Sequence, residues 1–241
     1  MDQSLYRAHR TADLIPVLAF SSDDQLFLMD DQTIGFGFVC TPLPGGDNSV
    51  ADRINVLLNN DWPKDTLLQF GLFASPDIQD DLQLMLGLRH RQTDPLLRTS
   101  IRKRIQFLDQ GTITPVENST QTRVRNFLIY ITCKIPIDQP VPNEREINRA
   151  STLRSSFAQA LNTVGIQSAA MMDSDWLRLM SCLLNWGDQA SWRNGLRIKP
   201  ENDKPLKDQV CDFDHELKVG QSSLSLGHYQ VRSMSFKRLP E

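Results

Sequence analysis

A segment in which large apolar residues alternate with small or polar ones, Thr33–Thr41, constrains the fold of this chain more than any other feature. Successive side chains of a β-strand point to opposite faces, so a period of two indicates a strand with one apolar face. The other face carries Gly35 and Gly37, which leave room for a helix or another backbone to approach closely. The apolar face consists of Ile34, Phe36, Phe38 and Cys40. We therefore predict a core strand with Phe36 and Phe38 buried.

Further strands are predicted on both sides of this segment. The apolar run Leu26–Met29 precedes it across the turn-type residues Asp30-Asp31-Gln32, which indicates a β-hairpin. The segment Thr66–Ala74 is apolar on both faces apart from one glutamine, so we expect a central strand covered on both sides. The remaining predicted strands are Thr122–Ile135 near the sheet centre and a C-terminal pair, Ser223–Leu226 and Tyr229–Leu239. Ile15–Phe20 is expected to be either an edge strand or a segment packed on the core.

Helical spacing of apolar residues, with capping residues at the ends, predicts five helices. They run from Asp47 or Ser49 to Trp62, from Ser75-Pro76-Asp77 through Leu86, from Asp94-Pro95 to Gly111, from Asn143 to Gly165, and from Asp173 or Ser174 to Gly187. Strands and helices mix without regular alternation, which is typical of the α+β class. We expect a mixed, mainly antiparallel sheet with helices packed mainly on one face.

The same patterns suggest one module with two loosely organised parts. Residues 1–20 are expected to be loosely held, and residues 21–241 to form the module itself. Within the module, Asn185–Leu217 is rich in Gly, Pro, Asn, Asp and Lys and is predicted to be an irregular surface insertion.

Composition excludes several classes of protein. The 26 basic and 29 acidic residues give a net charge of −3, which favours neither a nucleic-acid-binding protein nor a disordered acidic chain. No apolar stretch approaches the roughly 20 residues of a membrane-spanning helix, and charged residues interrupt the N-terminus where a signal peptide would be apolar. Three of the four cysteines lie in apolar runs without paired spacing, as reduced cysteines of a cytoplasmic protein do.

The sequence offers no strong catalytic, cofactor or metal motif. A strand, a loop with Gly45-Gly46 and a predicted helix follow one another, but the GxxxxGK[ST] phosphate loop does not occur. The cluster Cys211–His215 contains metal-ligand residue types without a CxxC or HExxH partner. A GxSxG nucleophile elbow is also missing. We predict no catalytic, cofactor-binding or metal-binding residue, and keep a self-contained nucleotide- or nucleic-acid-binding α+β protein as the alternative.

A basic cluster flanks the break between two predicted helices at Asp94-Pro95. Such a cluster can meet an anionic membrane, an acidic partner or nucleic acid, or it can simply be a solvated helix face. Nucleic acid is the less favoured ligand because no aromatic side chains alternate with the basic ones. The cluster consists of Arg89, Arg91, Arg98, Arg102, Lys103 and Arg104.

Three stretches of the chain resemble one protein family. They are LFLMDDQTIGFGFVCTPLPGG at Leu26–Gly46, DTLLQFGLFASPDI at Asp65–Ile78, and YQVRSMSFKRLPE at Tyr229–Glu241. Their order and spacing resemble the N-terminal region of TraC-type ATPases, the cytoplasmic motor proteins of conjugative type IV secretion systems. In that family an α+β module precedes a RecA-like motor, and neither the phosphate loop nor the Walker B aspartate of the motor can be placed on a residue here.

The resemblance implies a role without catalysis for this chain. ATP and magnesium would belong to a motor domain that is expected to follow the last residues of this sequence. The module would dock that motor on the inner-membrane base of the machine, in support of pilus assembly and DNA transfer. The implied partners are other secretion subunits, above all a small inner-membrane subunit, with self-association through the full-length protein and a cytoplasmic location peripheral to the inner membrane.

Overall fold

A computed structural model describes most of the chain. The described residues are 10–43, 45, 52, 54–55, 58, 62–89, 91, 93–187, 190–194, 199–212, 217–226 and 229–232. Most of the helix predicted to end near Trp62 lies outside them, although Asp52, Ile54, Asn55 and Leu58 are helical. The first nine residues of the segment predicted to be loosely held also lie outside the description. In the remainder of that segment a strand begins at Val17, whose side chain is buried.

A six-stranded antiparallel sheet organises the fold and confirms the predicted α+β class. Its strands are β1 (Val17–Ser21), β2 (Leu26–Met29), β3 (Thr33–Cys40), β4 (Leu67–Ser75), β5 (Asn126–Pro136) and β6 (Ser168–Ala170). The strand order is β1-β2-β3-β5-β4, with β6 paired to β3. The predicted hairpin is confirmed as β2 and β3, and the central position predicted for β5 is confirmed by its pairing with both β3 and β4.

The apolar face of β3 forms the main core against one long helix. Helix α3 (Glu144–Val164) begins at Asn143, whose side chain caps it, and ends at Gly165, whose φ of +92° is readily adopted only by glycine. Its stripe of apolar residues includes Phe157, which is fully buried. Phe36 and Phe38 are each 2% exposed in this core, as the alternating sequence predicts. Two shorter helices, α1 (Gln79–Gly87) and α2 (Pro95–Gln110), precede α3 in the chain.

The glycine face of β3 is covered by a second helix and the residues that lead into it. A Cβ at Gly37 would lie 2.9 Å from the Met171 sulfur, so the close approach inferred from this glycine is confirmed. Helix α4 (Asp173–Leu184) follows directly and buries Trp176 and Leu177 in a second apolar cluster on this side. The sequence favoured helices mainly on one face, whereas α3 lies on one face of the sheet and α4 on the other.

Strand β4 lies at an edge of the sheet, and its predicted central position is wrong. It pairs with β5 alone among the described strands. Several of its large apolar side chains are exposed, namely Leu67 at 58%, Phe70 at 48% and Leu72 at 69%. An apolar sequence on both faces is typical of a covered strand, but it does not say whether this chain or another molecule covers it.

The segment predicted as a surface insertion, Asn185–Leu217, contributes to the core in its described parts. Asn185 is 1% exposed, and its amide donates to the Val210 carbonyl at 2.8 Å and accepts from the Asp212 N–H at 2.9 Å. The indole of Trp192, 4% exposed, donates to the Asn185 carbonyl at 2.9 Å. These buried hydrogen bonds hold an irregular backbone whose sequence shows no helical or strand periodicity. The chain then forms a separate three-stranded sheet of β7 (Leu217–Val219), β8 (Leu224–Leu226) and β9 (Tyr229–Val231).

Helices α1 and α2 lie outside the main core. Helix α1 begins at Gln79 rather than at Ser75, because Ser75 is the last residue of β4. Helix α2 begins after Asp94, whose carboxylate accepts the Leu96 N–H at 2.8 Å, and ends before Gly111, as predicted. No residue of α2 is buried, so its apolar stripe is at most partly covered by this chain.

Candidate docking surfaces and the basic cleft

The exposed edge strand β4 carries an apolar patch on the α3 side of the sheet. Directly opposed residues of neighbouring strands share a face, and Phe70 lies opposite the buried Ile131 of β5. Phe70 and Leu72 therefore point to the same side as the main core, where Phe127 of β5 is also 54% exposed. We call Phe70, Leu72 and Phe127 the edge patch. Its side chains extend the core face beyond the area that α3 covers.

The opposite side of the same strand borders an apolar groove. The groove has a volume of about 510 Å³ and runs along the sheet from β1 to β4, beneath Met171 and helix α4. Its lining includes Gly71, Phe73, Tyr130, Met171, Leu179 and Met180. Burial raises the pKa of the Tyr130 hydroxyl to about 12, so this group stays protonated and can serve as a neutral hydrogen-bonding group in the groove. The groove and the edge patch meet at β4, so that one strand borders both surfaces.

A charged network lies just after the end of β4 and lines a second, smaller cavity of about 220 Å³. Asp77, 5% exposed, is paired with Arg178 of α4, and the same guanidinium also binds the exposed Asp80. The hydrogen bond to Asp77 raises the pKa of Arg178 further above its ordinary value. The Asp77 carboxylate also accepts the Gln79 N–H at 3.1 Å, which starts helix α1. This network fixes α1 to α4. The sequence indicated a helix start at the Ser-Pro-Asp stretch, but it gave no sign that the aspartate pairs with an arginine in a distant helix.

The structure brings three of the six predicted basic residues together. Arg89, Arg98 and Arg102 line a cleft of about 400 Å³ between the end of α1 and the first half of α2. Leu86, Gly87 and Ile101 form part of its wall, and a Cβ at Gly87 would meet nothing within 4 Å. Arg91, Lys103 and Arg104 are exposed and do not line this cleft. We call the site of Arg89, Arg98 and Arg102 the basic cleft.

The described parts of the weaker candidates from sequence add no support for a nucleotide or metal site. Gly45 is exposed and its partner glycine in the loop lies outside the described residues. In the Cys211–His215 cluster, Asp212 accepts the Ser191 N–H at 2.9 Å, and the last three residues lie outside the description. Among the described residues, no group of three or more His, Cys, Asp and Glu side chains could hold a metal ion. None of the described helices is both long and apolar enough to cross a bilayer.

Comparison with known proteins agrees with the resemblance of the three stretches. A sequence model of the family described as TraC protein matches residues 11–241. No curated protein matches the chain at a significant level. The family match covers almost the whole chain, including the β2–β3 hairpin, the edge strand β4 and the helices that surround the basic cleft. This chain therefore belongs to the TraC family and has a role in conjugative transfer by type IV secretion.

Proposed function

We propose that this chain is the non-catalytic docking and assembly module of a TraC-type ATPase, and that it links the motor to the inner-membrane base of the secretion machine. The observation that carries the proposal is the exposed apolar edge strand β4. Soluble proteins usually protect a sheet edge with charges, proline, a bulge or a covering element. Here the edge carries Leu67, Phe70 and Leu72, each about half exposed or more.

The partner proposed for this edge is an extended segment of the small inner-membrane subunit. An added strand would satisfy backbone N–H and C=O groups of β4, and its alternate side chains would cover the edge patch on one face and enter the groove on the other. Full burial of a large apolar side chain contributes about 1.5–3 kcal/mol, so burying the exposed parts of Phe70 and Leu72 supplies a few kcal/mol in addition to the backbone hydrogen bonds.

The rest of the proposal follows from family membership and from the sequence. The parent protein is proposed to be an ATPase that energises pilus assembly and DNA transfer, with ATP and magnesium held by a motor domain. The sequence of this chain contains no phosphate loop, which supports a role for it without nucleotide chemistry. The module is proposed to work in the cytoplasm at the inner membrane, and to be a monomer or weak dimer without the motor.

Co-expression with the small membrane subunit of the same transfer operon, followed by a pull-down in detergent, tests the docking. We expect the unmodified chain to co-purify with the subunit and Leu72→Lys to lose it, because the lysine places a charge in the covered patch. Leu14→Lys is the matched control, since Leu14 is 76% exposed and belongs to a short helical turn, Thr11–Leu14, that precedes the opposite edge strand. Both variants should keep the parent melting temperature. Equal capture of both variants, or capture by the full-length ATPase alone, would place the docking surface elsewhere.

The alternative function is nucleotide binding by this chain itself at the Gly45-Gly46 loop. A titration with ATP and magnesium distinguishes the two. Saturable binding below about 1 mM, which corresponds to an affinity of roughly 4 kcal/mol, would favour the alternative.

A further inference from the structure

The joint between helices α1 and α2, with the first part of α2, combines a concentrated positive charge with exposed leucines. Residues 79–110, which span both helices and the joint between them, contain six basic and four acidic side chains, a net charge of +2 in a chain whose net charge is −3. All six basic side chains lie between Arg89 and Arg104, where Asp94 is the one acidic residue. The joint and the first part of α2 therefore form a positive patch on an acidic chain, which favours an anionic surface.

The same helix pair exposes large apolar side chains at the end that carries the arginines. Leu88, at the end of α1, is 74% exposed, and Leu96, in the first turn of α2, is 81% exposed. Leu84 is 62% exposed, and α2 has no buried residue at all. Leucines that lie this far out of the core at a joint between helices are costly in water unless something covers them.

The basic cleft provides a site for a phosphate group at this joint. Arg89 comes one residue after Leu88, and Arg98 two residues after Leu96, so cleft and leucines lie at the same end of the helix pair. Guanidinium groups present planar pairs of N–H donors that match phosphate oxygens. A Cβ at Gly87 would meet nothing within 4 Å, so this wall is open, and the cleft volume of about 400 Å³ has room for a phosphate group.

We propose that the helix pair α1–α2 binds the surface of an anionic phospholipid bilayer. A headgroup phosphate occupies the basic cleft, while Leu88 and Leu96 enter the boundary between headgroups and acyl chains. Interfacial membrane helices combine Lys and Arg on one face with large apolar side chains on the other. Single-stranded nucleic acid, in contrast, is held by aromatic stacking beside the positive charge, and the exposed large apolar side chains among the described residues 86–97 are leucines. This binding is separate from the protein docking proposed for β4.

Vesicle flotation with the full 241-residue chain tests the proposal. The chain should float with vesicles of phosphatidylglycerol and phosphatidylethanolamine and remain at the bottom with vesicles of phosphatidylcholine alone. Arg98→Glu combined with Arg102→Glu should weaken binding by on the order of tenfold or more, because each basic side chain near an anionic surface contributes substantially. Raising the salt concentration should weaken binding of the unmodified chain in the same direction.

A matched pair of arginines controls for net charge. Arg145 and Arg149 are exposed on α3 at the same spacing of four residues, so reversing both changes the net charge equally without touching the basic cleft. We expect that double variant to float like the unmodified chain. A third variant, Leu88→Ser with Leu96→Ser, should bind more weakly in both low and high salt and should unfold at the same temperature, since both leucines are exposed.

The outcomes separate this proposal from its competitors. If reversal of Arg145 and Arg149 weakens vesicle binding as much as reversal of Arg98 and Arg102, the attraction is unspecific and the proposal is overturned. Strong binding of single-stranded DNA that depends on Arg98 and Arg102, without flotation, would assign the cleft to nucleic acid instead. The Leu72→Lys variant of the edge patch should float normally, so a failure of protein docking and a failure of lipid binding are distinguishable.

Discussion

The replacement Phe38→Ala tests the architecture of the main core. The Phe38 ring is 2% exposed, and its centroid lies 5.8 Å from the rings of both Phe36 and Phe157. It thus joins the central strand to helix α3. Truncating a buried phenylalanine costs about 3–5 kcal/mol, and the loss of two ring pairs favours the upper half of that range. Natural domains are stable by only about 5–15 kcal/mol, so this single change removes a large share of the stability.

Urea and thermal unfolding of the soluble variant measure this cost. A loss of about 4 kcal/mol corresponds to a melting temperature lower by roughly 8–16 °C for a chain of this size. The matched control is Phe127→Ala, because Phe127 is 54% exposed in the adjacent strand β5 and its loss should cost about 1 kcal/mol or less. If both variants lose the same stability, Phe38 is not the link between sheet and helix that we describe.

Three further changes test other contacts. Gly35→Ala should be strongly destabilising because its Cβ would lie 2.5 Å from the Cys133 backbone oxygen, whereas Gly45→Ala, with nothing within 4 Å, should leave the melting temperature unchanged. The Glu146 carboxylate accepts two backbone N–H groups ahead of α3, and these hydrogen bonds lower the pKa of Glu146 below the ordinary 4.5. The stabilisation by this carboxylate is present above pH 4.5 and is lost as the pH falls through the lower folded-state pKa. Glu146→Gln should remove this part of the acid-unfolding profile. In the native protein a thiol reagent should modify the exposed Cys211 well before Cys133, whose pKa burial raises to about 12, and equal rates would contradict the packing of β5.

Local sequence signals predicted the parts of the fold that local chemistry determines. The period-two pattern of β3 fixes which side chains face the core. The Asn143 cap and Gly165 fix both ends of helix α3, since a capping side chain and a positive φ are requirements of individual positions. Six basic residues were also recognised from the sequence, but only the fold selects the three that form a cleft.

Local sequence signals did not predict contacts between residues that are far apart in the chain. The sequence of β4 is typical of a fully buried strand, although most of its residues are exposed. Apolar residues indicate that a strand is covered, but they do not identify the molecule that covers it. The pair of Asp77 and Arg178 joins residues more than a third of the chain apart. The burial of Trp192 depends on an irregular backbone whose hydrogen bonds end on the side chain and carbonyl of Asn185, and no periodic pattern encodes such a framework.

One edge of strand β3 pairs with two different strands, β2 and β6, which are far apart from each other in the sequence. Its first half pairs with β2, its neighbour in the hairpin, and its second half with β6, more than half the chain length away. Long-range strand pairing is slow because a long loop must close before the contacts form. The hairpin can assemble early during synthesis, but the edge at Phe38–Cys40 stays open until residues 168–170 have left the ribosome. We therefore expect chains stalled before this point to be the aggregation-prone species of this protein, and expression at low temperature or with chaperones to raise the soluble yield by protecting that one open half-edge.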